Sequence, residues 1–183
     1  MVQDWPAIAL MDGPNEKIRT GLRRVLDACY GVGMLKEGLN ARRLDALHAY
    51  EEGINAQAPA FLLDYGNPVV FERMMETAAH YSRLSGINAA GHRHMRSHVY
   101  SATELVEEGY HAREFTQYSH HILHPGLYVT WYSGSPKLKR LLCELGDSLL
   151  EHWSKEQYPK LSSVVFFADD RAAEPSPPGS VIW

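Results

Sequence analysis

The sequence is short of cysteine, of surplus basic charge and of long apolar runs. Cys29 and Cys143 are its only two cysteines, too few for a disulfide scaffold, and a reducing cytoplasmic setting is the expectation. A formal net charge of −4 argues against a general nucleic-acid binder, which carries a basic surplus. No apolar run approaches the roughly 18 residues of a membrane-spanning helix. The opening Met-Val-Gln-Asp-Trp-Pro lacks the basic segment and apolar stretch of a secretory leader. Neither a nucleic-acid nor a membrane partner is therefore expected. A phosphate loop, a dinucleotide glycine signature and a nucleophile elbow are missing as well, and Gly31-Val32-Gly33 alone makes none of them.

What is present is globular. Of 183 residues, 45% are hydrophobic and 22% charged, which suits one domain with a real core. Ten His, ten Tyr and four Trp stand out. That density suits a cleft for a polar ligand or a sugar, although a packed core uses such residues too.

Spacing predicts an all-α fold. Leu138, Leu141, Leu142, Leu145 and Leu149 form one helical stripe over about 137–153, continued by Trp153 and opened by Ser135-Pro136. A second helix is expected over about 68–84, opened by Asn67-Pro68, with Val70, Phe71, Met74, Met75, Ala78 and Tyr81 inward. A third spans about 16–30, with Ile18, Leu22, Val25, Leu26 and Cys29 on one side. Asp64-Tyr65-Gly66-Asn67-Pro68 matches Tyr132-Ser133-Gly134-Ser135-Pro136 at an offset of 68 residues. Each lies between an incoming helix (about 47–64 and about 115–132) and an outgoing one. Asp12-Gly13-Pro14-Asn15 supplies a weaker third copy, offset 53 at the glycine. Helical hairpins that repeat in this way must stack to bury their faces.

Two segments interrupt the pattern. Residues 85–101 read as a long polar connection, the kind of segment that carries function. Near the C-terminus, 162–167 reads as a short strand. The expected domain is 1–168, followed by a Pro-rich linker or truncated continuation over 169–183. An apolar Val181-Ile182-Trp183 directly after such a linker points to a fragment of a longer chain.

The chemistry concentrates in the polar connection. His92, Arg93, His94, Arg96, His98 and Tyr100 lie within nine residues, and Tyr118, His120, His121 and His124 follow. His92, His94 and His98 share strand parity, while His120 and His124 share a helical face, so a divalent metal is one reading of these imidazoles. Against it, Pro125-Gly126 reads as a helix end, and no Cys or paired acid completes a ligand set. The second reading is acid–base chemistry with no obligatory cofactor. Histidine moves protons near neutral pH, arginine holds a carboxylate, and cationic neighbours favour a tyrosinate. Together they suit removal of the C5 proton of a uronic-acid sugar, with the C4 oxygen leaving. His48, His80, His111 and His152 are expected to cap or pack. Tyr128, Trp131 and Tyr132 belong to a core or to a sugar platform. Glu51, Asp64, Glu104 and Glu107 supply carboxylates for a hydrolase, but their spacing singles out no pair.

The Gly-Asn-Pro and Gly-Ser-Pro turns, with Trp131-Tyr132-Ser133-Gly134-Ser135-Pro136, resemble the turns of the α/α toroid of carbohydrate-active enzymes. The stretch from His92 to Ser101 is similar to the C-terminal toroid of exo-rhamnogalacturonan lyase-like polysaccharide lyases. The resemblance covers about 45–155. It implies an incomplete α/α toroid acting on acidic oligo- or polysaccharide by β-elimination. His98 or Tyr100 would abstract the proton, with His121 in the catalytic set. Arg93 or Arg96 would neutralise the carboxylate, and His92, His94, Tyr118, His120 and Trp131 would line the cleft. A full toroid needs about twice as many hairpins, so self-association or missing domains are implied. The alternatives are a toroid glycoside hydrolase using Asp or Glu, and a non-catalytic helical module that binds sugar or a partner protein.

Overall fold

The computed structural model describes residues 8–9, 11, 13, 15–43, 54, 56–96, 100–104, 113–155 and 165–167, the side chains of 113–121, 149, 152–155 and 165–167 excepted. Over these residues the fold is largely helical. Outside them lie His48, Glu51, His98, Glu107, His111 and the segment 169–183. None of the described helices is long and apolar enough to cross a membrane.

Helix α1 (Glu16–Gly31) starts where Asn15 caps it, the side-chain oxygen accepting from the amides of Lys17 at 3.0 Å and Ile18 at 3.2 Å. Leu22 and Leu26, one turn apart, are its buried residues. Strands β1 (Leu35–Lys36) and β2 (Leu39–Asn40) follow as a small hairpin turned by Glu37 and Gly38, both at positive φ. Gly38 is required there, because an added Cβ would lie 2.3 Å from the Thr77 amide nitrogen. Helix α2 (Gln57–Leu63) leads through a tight turn into α3 (Pro68–Ala79), and α4 (Tyr81–Leu84) continues it. Strands β3 (Ser85–Ile87) and β4 (Arg93–Met95) pair antiparallel with Gly86 opposite His94. Strand β5 (Arg113–Phe115) runs into α5 (Thr116–Ser133), a second tight turn leads to α6 (Pro136–Lys155), and β6 (Val165–Phe167) pairs antiparallel with β5.

The two turns are built alike. Gly66 and Gly134 hold φ of 83° and 68°, and a polar cap follows each. Asn67 accepts from the amides of Val69 at 2.9 Å and Val70 at 3.5 Å, while the Ser135 hydroxyl accepts from Leu138 at 3.4 Å. Proline then occupies the first helical position, where no amide hydrogen is needed. Each turn folds a helix back on its predecessor, α3 on α2 and α6 on α5, and α3 packs broadly on α5. Two apolar clusters result. One gathers Leu22, Leu26, Phe61, Met74 and Val129; the other gathers Leu39, Tyr81, Leu84, Met95, Ile122 and Leu145. Leu138 touches both.

Three expectations are corrected. The helix expected over 68–84 is divided at His80, whose amide bonds Thr77 O at 3.2 Å, a 3₁₀-type step. The polar connection holds the β3–β4 hairpin, whose three-residue strands are too short for alternation to reveal. The third concerns Pro125-Gly126, which lies inside a continuous α5 rather than at a helix end. The reason is tertiary. The Tyr81 hydroxyl stands in the α5 ladder, donating to Ile122 O at 2.5 Å and accepting from Gly126 N at 2.9 Å. It bridges the carbonyl and amide that would otherwise bond each other. Only glycine admits the ring, because a Cβ at 126 would lie 2.2 Å from Tyr81 Cε2.

Candidate functional site: a saturated hairpin and an open aromatic face

The β3–β4 hairpin carries the histidines and arginines picked out by composition. Asn88 shapes its turn, accepting from Ala90 N at 3.0 Å and His92 N at 2.9 Å, with Gly91 at φ 90°. Strand parity brings His92 and His94 together, their ring centroids 6.4 Å apart. The hairpin's charges, however, face α6. His92 Nε2 lies 2.7 Å from the Glu151 carboxylate, and Arg93 Nε donates to Glu144 at 2.6 Å. A further Arg93 nitrogen donates to Ser85 Oγ at 3.1 Å. His94 is buried and Arg96 exposed, its side chain passing over Gly86.

Tyr100 is 2% exposed, within the core cluster of Leu39, Tyr81 and Met95. A polysaccharide does not reach its hydroxyl there. His98 lies outside the described residues, as do the side chains of Tyr118, His120 and His121 on α5. Because α5 is continuous, His120 and the half-buried His124 stand one turn apart on it. Among the described residues no group of three or more potential ligands converges as a metal site.

His80, expected to cap or pack, is a clasp. Its Nε2 donates to Glu37 O at 2.9 Å and its Nδ1 accepts from Arg83 at 3.1 Å. Burial, reinforced by the Arg83 charge, holds its pKa below the ordinary value. Burial likewise pushes the Tyr81 and Tyr30 hydroxyls up, so both stay neutral.

A second region lies at the two helix-connecting turns. Phe61 is fully buried at the end of α2 and forms a floor with Phe71 of α3, centroids 5.8 Å apart. On that floor stand Tyr65 and Tyr132, with Trp131 beside Tyr65 and Tyr128; Tyr65, Trp131 and Tyr132 are exposed to 62%, 65% and 46%. Tyr132 lies 4.8 Å from Phe71 and 5.3 Å from Phe61; Tyr65 lies 5.7 Å from Tyr132 and 6.2 Å from Trp131. Their tilted and edge-on contacts are those that aromatic quadrupoles favour. Beside them Asp64 receives the Asn67 amide at 2.6 Å and ion-pairs with Arg23. Arg19 stands 3.7 Å from the same carboxylate. Burial alone would raise the Asp64 pKa, but the Asn67 amide and the two guanidiniums outweigh it and hold it low.

The predicted cleft is therefore divided. Glu144 and Glu151, which anchor the hairpin, lie about 12 and 22 Å along α6 from Pro136 at 1.5 Å per residue. Trp131 belongs to the turn at the opposite end. Sequence reading put Trp131 in the same cleft as the hairpin and overlooked Tyr65. The signal for Tyr65 was its place in the turn that matches Tyr132 onward.

No family model, no curated protein and no solved structure matches this chain.

Proposed function

We propose that this chain is a helical-hairpin binding module that takes an acidic oligosaccharide on the Tyr65–Trp131–Tyr132 face. The observation that carries the reading is three exposed rings held by their neighbours, Tyr65 and Tyr132 against Phe61 and Phe71, and Trp131 edge-on against Tyr65 and Tyr128. Rings held in advance lose little side-chain entropy on binding. Their faces meet the C–H faces of sugar rings, and the Tyr hydroxyls and the Trp N–H reach sugar hydroxyls. Arg19 ion-pairs with Glu16 and stands near Asp64, and Arg23 pairs with Asp64; of the five N–H donors on each guanidinium these partners take only some, and the remainder suits a uronate carboxylate. The like-built turns of α2–α3 and α5–α6 support reading these hairpins as two copies of one toroid-type unit.

The β-elimination reading is the weaker one. With Arg93 and Tyr100 in the leading roles it needs Arg93 to leave Glu144 and Ser85, and Tyr100 to leave the core. The test is a tryptophan-fluorescence titration of the full chain with neutral and uronate-containing oligosaccharides, with absorbance of the unsaturated product followed in parallel. We expect saturable binding that favours uronates, is lost in Trp131→Ala, and comes with a flat absorbance trace. A folded chain that binds none of the panel overturns the reading. A rising trace abolished by Tyr100→Phe replaces it with the lyase.

A further inference from the structure

Between α3, α5 and the start of α6 lies a cavity of about 200 Å³. Met75, Ala78, Val129, Leu138 and Leu141 give it apolar walls. Its polar members are Ser82, Ser135 and Lys137, so a single cation and no carboxylate lines it. Glu72 and Glu76, on the α3 helix that supplies Met75 and Ala78, are not part of the wall. Among the described residues no carboxylate stands within ion-pair distance of Lys137. The lysine also lies in the first turn of α6, where the helix dipole favours negative charge, although the Leu138 amide is already taken by the Ser135 hydroxyl.

We propose that this cavity binds a small amphipathic carboxylate, with an apolar body between α3 and α6 and an anionic head at Lys137. Size and charge both select that chemistry. An apolar cavity of about 150 Å³ holds a benzene ring, so this one accepts a ring with a short acid-bearing arm. The Ser135 and Ser82 hydroxyls add donors beside the ammonium. A neutral hydrocarbon would leave the lysine unused, and a dianion would find one cation. The site is separate from the aromatic face, and the inference stands independently of the oligosaccharide reading.

The test uses 3-phenylpropanoate as probe and 3-phenylpropan-1-ol as its uncharged counterpart, titrated into the full chain by methyl NMR. We expect saturable shifts of the Met75, Val129 and Leu138 methyls for the acid, with the alcohol about tenfold weaker, the size of one charge-assisted contact. Lys137→Gln, a change at an exposed position, should bring the acid down to the alcohol's affinity. Ala79→Trp, which fills the mouth from another exposed position, should abolish both. Equal affinity for acid and alcohol, or acid binding unchanged in Lys137→Gln, overturns the proposal. So does the absence of any saturable shift in a chain with its native spectrum.

Discussion

The hairpin at 85–95 and the turns at 64–67 and 132–135 teach opposite lessons about where chemistry resides. The hairpin has the richer side chains, yet two of them are already engaged: Glu144 and Ser85 take Arg93, and Glu151 takes His92. The turns hold plainer residues but leave three aromatic rings uncovered. Reactive side chains are available for function only when the fold has not already used their hydrogen bonds and charge. By that criterion the hairpin is a strap holding α6, and the aromatic end is the surface with capacity to spare.

Several substitutions sharpen or break this contrast. Phe61→Ala removes the fully buried floor of the aromatic face and should cost about 3–5 kcal/mol in denaturant unfolding. It should also loosen the rings above it, so that Trp131 emission shifts. Gly126→Ala forces a methyl against the Tyr81 ring and should cost about 1–3 kcal/mol. In a double-mutant cycle with Tyr81→Leu that penalty should shrink, because the clashing ring is gone. Additive losses would disprove the inserted-hydroxyl account of α5.

Arg93→Met tests the strap. Glu144 is half-exposed and solvent screens the pair, so a loss of about 1 kcal/mol that diminishes with added salt is expected. Oligosaccharide affinity should not move; if it falls, the hairpin belongs to the binding site after all. Trp131→Ala should do the reverse, changing stability by less than about 0.5 kcal/mol while weakening oligosaccharide binding.

The smallest effect comes from His80. Unfolded, it takes a proton near its ordinary value of 6.5; folded, it does so only at lower pH. Its contribution is therefore complete above pH 6.5 and is lost as pH falls through the folded value. The urea midpoint of the native chain should drop over that range more steeply than that of His80→Gln. Parallel pH curves for the two proteins would show that the burial of His80 beside Arg83 carries none of the dependence.

Much of the helical frame was legible in the sequence. The leucine stripe, the Asn-Pro and Ser-Pro openings and the positive-φ glycines are local signals, and α1, α3 and α6 stand close to where they point. Strand β6 likewise falls within the expected 162–167. The small hairpins were not legible, because two or three residues hold too little pattern. Nor was the fate of the polar cluster, since His92, His94 and His98 share strand parity as a ligand set would. Only the arrival of Glu144 and Glu151, more than fifty residues away in sequence, uses up Arg93 and His92.

Pro125-Gly126 draws the same line most sharply. By local rules the pair ends a helix, because proline offers no amide hydrogen and glycine weakens the turn. The sequence by itself determined where helices start, which faces are apolar and how the connecting turns are shaped, since those follow from backbone sterics and side chains within a few residues. Only the tertiary structure decided that α5 continues through the pair, that the hairpin is a strap and that three rings remain uncovered. Each of those outcomes depends on a partner brought from elsewhere in the chain, and at Gly126 that partner is the Tyr81 hydroxyl.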